Sequence, residues 1–67
     1  MRNKKLKLAM YAVDANYKDG ADLLGINTKT FTRKINRHKV NGYECYFKDR
    51  EKAILAKKFK IRVTEIE

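Results

Sequence analysis

The sequence predicts an all-α domain of four to five short helices, and three observations carry that prediction. Apolar residues recur at three- and four-residue spacing in four separate stretches. The chain contains no proline, and its three glycines (Gly20, Gly25 and Gly42) act as punctuation rather than as a flexible linker. Its 67 residues, 43% of them hydrophobic, suffice for one thin core, so residues 1–67 are read as a single domain.

The first helix is expected over residues 4–15. Leu6, Ala9, Met10 and Val13 fall at i, i+3, i+4 and i+7, and Leu8 and Tyr11 widen that stripe. Asn16 then offers a side-chain oxygen to the free N–H groups of a second helix, and Asp19 three residues on approximates a capping box. That helix is expected over 17–24, with Ala21 and Leu24 inward. Gly20 lies inside it at a cost of roughly 0.8–1 kcal/mol against alanine, which close approach of another helix would justify.

Gly25 follows as the residue best able to take the left-handed turn that ends a helix. Ile26 plugs the core from this turn, and Asn27 or Thr28 caps a third helix over 28–36. Phe31 and Ile35, four apart, face inward. Thr28, Lys29, Thr30, Arg33, Lys34 and Arg37 are left for the outer surface.

Residues 37–47 read as a long loop or a small β-hairpin. Asn41-Gly42 is the strongest short hairpin signal, because both residues tolerate positive φ. The fourth helix is expected over 49–59. Asp49 at its start and Lys57 and Lys58 at its end suit the helix dipole, and Ala53, Ile54, Leu55, Ala56 and Phe59 supply an apolar face. Ile61, Val63 and Ile66 are left for a last short turn or an extended tail.

Charge narrows the function. Seventeen lysines and arginines against eight acids give a net charge of +9, which points to a polyanionic partner. Cys45 and His38 are the only residues of their kinds, so neither an internal disulfide nor a structural zinc site can be assembled. A reducing, cytoplasmic setting is expected. No stretch reads as a signal peptide or a bilayer span. There is no serine, no phosphate-binding lysine loop and no paired carboxylate in an apolar setting, so no enzyme, cofactor or small-molecule substrate is expected.

Two short helices joined by a glycine turn form a helix-turn-helix, whose second helix enters the DNA major groove. From Leu23 through Tyr43 there is no acid, while Lys29, Arg33, Lys34, Arg37 and Lys39 all fall there. Arginine and lysine can bond guanine O6 and N7, and threonine can offer a methyl to thymine. Thr28, Lys29, Thr30 and Arg33 are therefore the candidates for base edges. Lys18, Lys34, Arg37 and Lys39 are the candidates for phosphate, which gives affinity and salt dependence rather than sequence information.

The stretch NYKDGADLLGINTKTFTRKIN, residues 16–36, resembles the lambda-repressor-like helix-turn-helix family, also called Cro/XRE-type. The matching positions are Lys18-Asp19, Ala21, Leu24-Gly25-Ile26, Thr30-Phe31 and Lys34-Ile35-Asn36. Phe47 with Glu51, Leu55-Ala56, Phe59 and Ile61 is similar to the family's fourth-helix pattern. The resemblance implies a small phage or mobile-element repressor or Cro-like switch protein, binding two-fold DNA sites as a homodimer. Three departures stand out. Tyr17 replaces a usual glutamine, Gly20 replaces a usual core leucine, and the segment after Asn36 is about six residues longer than usual. Helix 4, the C-terminal tail or that inserted segment would have to carry the dimer contact. Two other readings stay open: a protein-interaction module of antirepressor or antitoxin type, and a single-strand or RNA binder using Tyr43, Tyr46 and Phe47.

Overall fold

The computed structural model describes residues 2–67. Four α-helices, α1 (Lys4–Ala12), α2 (Tyr17–Leu24), α3 (Thr28–Ile35) and α4 (Asp49–Phe59), are joined by short turns, except for a hairpin between α3 and α4. The hairpin pairs β1 (Lys39–Val40) with β2 (Tyr43–Glu44) antiparallel, Val40 opposite Tyr43 and Lys39 opposite Glu44. Asn41 and Gly42 both take positive φ at its tip, as the two-residue turn requires. A 3-10 turn, Val63–Glu65, follows α4.

All four helices end alike. After each, one residue turns left-handed and the next N–H reaches back to a carbonyl of the last turn, the Schellman arrangement. The left-handed residues are Asp14, Gly25, Arg37 and Lys60. The back bonds run from Ala15 to Met10, Ile26 to Ala21, His38 to Arg33 and Ile61 to Ala56, at 2.9, 3.0, 2.9 and 3.1 Å. Three of those donors are apolar residues that fold back onto the core, which is how Ile26 comes to plug it. Only Gly25 makes its turn without a Cβ penalty. The same device corrects the expected end of the first helix: Asp14 stops it at Ala12, three residues short of the predicted boundary.

The helix starts follow their capping residues. Asn16 Oδ1 accepts from Asp19 N, and Asp19 Oδ2 accepts from Asn16 N, both at 2.9 Å, the reciprocal box expected of this pair. Asn27, rather than Thr28, caps α3, its Oδ1 accepting from Thr30 N at 2.7 Å.

The core is built from Leu6 and Met10 of α1, Ala21 and Leu24 of α2, Phe31 and Ile35 of α3, Leu55, Ala56 and Phe59 of α4, and Phe47 and Ile66 outside the helices. Phe31 is its centre. The rings of Tyr17 and Phe47 approach it at 5.7 and 5.4 Å, both tilted. Gly20 lies against the same ring: a Cβ placed there would come within 2.6 Å of Phe31 Cε2. Two of the departures from the resembling family are thus coupled, since the glycine makes space for the phenylalanine and Tyr17 closes over it.

Part of the expected apolar stripe does not face the core. Leu8, Tyr11 and Val13 are exposed, and so is Ala53 of α4. On α1 the inward direction is set by Leu6 and Met10, and Leu8 and Tyr11 lie on the opposite side of the cylinder.

Candidate nucleic-acid interface

The α2–turn–α3 unit presents one polar helix face, and the phase of α3 decides what lies on it. Phe31 and Ile35 fix the buried side. Lys29 and Arg33, four apart, then occupy the outer side, with Thr28 at the exposed first turn and Thr30 on a flank. Lys29 and Thr28 are exposed, whereas Thr30 and Arg33 are half-buried. All four proposed base-contacting side chains therefore come from one helix of eight residues.

The proposed phosphate-contacting residues divide. Lys18 in the first turn of α2 and Lys39 at the start of the hairpin are exposed. Lys34 is not an outward cation. Its ammonium bonds both carboxylate oxygens of Glu51 on α4 at 2.8 Å, and the pair is largely shut away from solvent, with side-chain exposures of 15% and 8%. Lys34 follows Phe31 by three positions and precedes Ile35 by one, so it sits at the edge of the buried side rather than on the outer face.

Arg37 is likewise turned to an internal partner. Its Nε lies 2.9 Å from Glu44 Oε1, an ion-pair contact without hydrogen-bond alignment, and its guanidinium sits 6.0 Å from the centre of the Tyr46 ring. These contacts brace the hairpin against the end of α3, as does the bond from Cys45 N to His38 O at 2.8 Å. Of the four expected phosphate-contacting cations, Lys34 and Arg37 are thus each paired with an acid inside the fold, Glu51 and Glu44.

Glu51 is a buried acid held ionised. Burial pushes its carboxyl pKa up. The Lys34 ammonium, the Lys48 backbone N–H at 2.9 Å and the charges of Lys34 and Lys48 outweigh that and hold it below its ordinary value. The consequence is mechanical: α3 is tied to α4 by two charge-assisted hydrogen bonds in a half-dry setting.

A second tether grips the same last turn of α3. Asn3 is 1% exposed, and its Nδ2 donates to the Ile35 carbonyl at 2.8 Å. Its Oδ1 accepts from Glu67 N at 2.7 Å, while Asn3 N donates to Glu67 Oε2 at 2.8 Å. Lys7 Nζ donates to Asn36 Oδ1 at 2.6 Å. The two ends of the chain thus clasp each other beneath the last turn of α3. Only the polarity of Asn3 ahead of a basic helix hinted at this in the sequence.

A concavity of about 600 Å³ lies between the end of α1, α2 and α4. Asp14, Asp19 and Asp22 line it, giving it the wrong sign for a polyanion. Among the described residues, no group of three His, Cys, Asp or Glu gathers as a metal site, and no helix is long and apolar enough to cross a membrane. No protein-family model matches the chain, and neither the curated proteins nor the solved structures compared with it give a match.

Proposed function

We propose that the chain is a sequence-specific double-stranded DNA-binding transcriptional regulator, a repressor or Cro-like switch protein of lambda-repressor-like type. In this reading α3 enters the major groove. Thr28, Lys29, Thr30 and Arg33 face base edges, and Lys18 and Lys39 contact phosphate. A single domain this small covers too little duplex for strong specificity, so the reading includes a homodimer on a two-fold site.

One observation carries the proposal: the acid-free outer face of α3 stands on a helix whose last turn is anchored twice, at Lys34 by Glu51 and at Ile35 by the Asn3 clasp, and whose first turn is capped by Asn27. A face meant to read bases must hold its side chains in register, and a helix capped at its start and anchored at its last turn does so.

The test is selection of bound sequences from random duplex DNA by the intact chain and by Arg33→Ala. Recovery of a defined motif, with preference relaxed at one base in the variant, supports the reading. Failure to bind duplex DNA at low salt, or preferential capture by a single-stranded competitor, would overturn it.

A further inference from the structure

The outer side of α1 is apolar where solvent should favour charge. Leu8 is 57% and Tyr11 81% exposed, and Ala12 beside them is exposed as well. Lys4, Leu8 and Tyr11 follow one another at intervals of four and three residues, the spacing of a seam between two packed helices. Among the described residues, nothing covers this seam.

Of the three surfaces expected to mediate dimerisation, α4 and the tail are largely spent, while the hairpin keeps Tyr43 and Tyr46 exposed. Leu55, Ala56 and Phe59 of α4 are buried in the core. Ile66 in the C-terminal tail is buried too, and Glu67 is bonded to Asn3.

From this we infer that two copies of the chain associate through α1, packed antiparallel about a two-fold axis near the middle of the helix, with Leu8 of each copy against Tyr11 of the other.

The charges at the ends of the seam favour this arrangement. Lys4 lies at the N-terminal end and Asp14 lies exposed just past the C-terminal end, and among the described residues neither forms an ion pair. Lys5, one residue on, is occupied by Glu65 at 2.8 Å. An antiparallel pair brings Lys4 of one copy to Asp14 of the other, twice, once at each end. A parallel pair stacks Lys4 on Lys4 and is disfavoured. The same patch serves both copies, as a two-fold contact requires.

The seam is short. Two large side chains from each copy fall below the roughly 1,200 Å² typical of stable interfaces, so the dimer is weak in dilute solution and is reinforced by a two-fold DNA site. The inference deepens the homodimer part of the proposed function, but its test needs no DNA. Its failure is therefore distinguishable from failure to bind duplex.

Sedimentation equilibrium from micromolar to millimolar concentration gives the measurement. The intact chain should show a reversible monomer–dimer equilibrium. Leu8→Glu and Tyr11→Glu, both at exposed positions and checked for fold by circular dichroism, should each weaken it at least tenfold. Asp14→Lys should weaken it, and Asp14→Lys combined with Lys4→Glu should restore it. A chain that stays monomeric to millimolar concentration overturns the inference. So does association that survives both α1 substitutions, or that is lost on Tyr43→Glu instead.

Discussion

The Lys34 ammonium sits 2.8 Å from each carboxylate oxygen of Glu51, and this one pair joins the candidate recognition helix to α4. Neither group is free to leave: Glu51 is buried and also accepts from Lys48 N. Removing one partner strands the other charge in a half-dry site. Lys34→Ala should therefore destabilise the fold by roughly 3 kcal/mol, well above the median for an exposed ion pair. Urea unfolding of the variant beside Lys57→Ala, an exposed lysine on α4, provides the comparison. Equal losses would show that the pair is no more than a surface contact.

The same carboxylate sets an acid limit. Glu51 has its pKa held below the ordinary 4.5, so its ionised form contributes stability that is fully present above that value. That contribution is lost as pH falls through the lowered folded-state pKa. Glu65, held down by Lys5 and the Arg62 N–H, and Glu67, held down by Asn3 N and Arg2, act in the same direction. Unfolding midpoints should be flat from neutral pH to about 5 and decline below about 4.5. Glu51→Gln should shrink the decline, and an unchanged slope would assign it to other groups.

Gly20 reverses a general rule. Replacing a helix-interior glycine by alanine ordinarily stabilises by about 1 kcal/mol. Here the new methyl would lie against Phe31 Cζ and 2.6 Å from Cε2, and that ring is wedged between Tyr17 and Phe47. Gly20→Ala should thus destabilise, by about 1–3 kcal/mol, as overpacked cores do. The paired substitution with Phe31→Leu should recover part of the loss. A thermal midpoint raised by Gly20→Ala alone would mean that the ring can retreat.

What the sequence disclosed and what it withheld follow from the range of the forces involved. The starts and ends of α2 and α4 were legible because caps, glycines and end charges act over three or four residues. Asn41-Gly42 signalled the hairpin, with a long loop as the alternative reading. The inward turns of Lys34 and Arg37 were not, because Lys34 and Glu51 lie 17 positions apart. Asn3 was hidden further still, since its partners Ile35 and Glu67 lie 32 and 64 positions away. Apolar spacing on α1 suggested a single broad stripe, whereas the helix has two apolar sides and buries only one. For the candidate interface, the chemistry of Lys29 and Arg33 was readable, and the bracing beneath them was not.

Lys60 ends α4 in the left-handed region, at φ 57°, with its side chain exposed. An L-residue there carries a penalty of roughly 1–2 kcal/mol that glycine avoids, offset in part by the greater freedom glycine has when unfolded. Lys60→Gly should therefore stabilise by roughly 0.5–1 kcal/mol in chemical denaturation. A loss of stability would show that the lysine side chain contributes more at this turn than its backbone costs.

Binding to DNA offers a separate way to tell inward cations from outward ones. Each lysine that neutralises a phosphate adds about 0.9 to the slope of log affinity against log salt. Lys39 is exposed, so Lys39→Ala should lower that slope by about one and weaken all sequences alike. Lys34 is neutralised within the fold by Glu51. Replacing both members by apolar residues of similar volume, Lys34→Met with Glu51→Leu, keeps the packing and removes no net charge. That double variant should stay folded and leave the salt slope unchanged. If the slope instead falls by about one, Lys34 exchanges Glu51 for a phosphate on binding, and the brace between α3 and α4 opens as the complex forms.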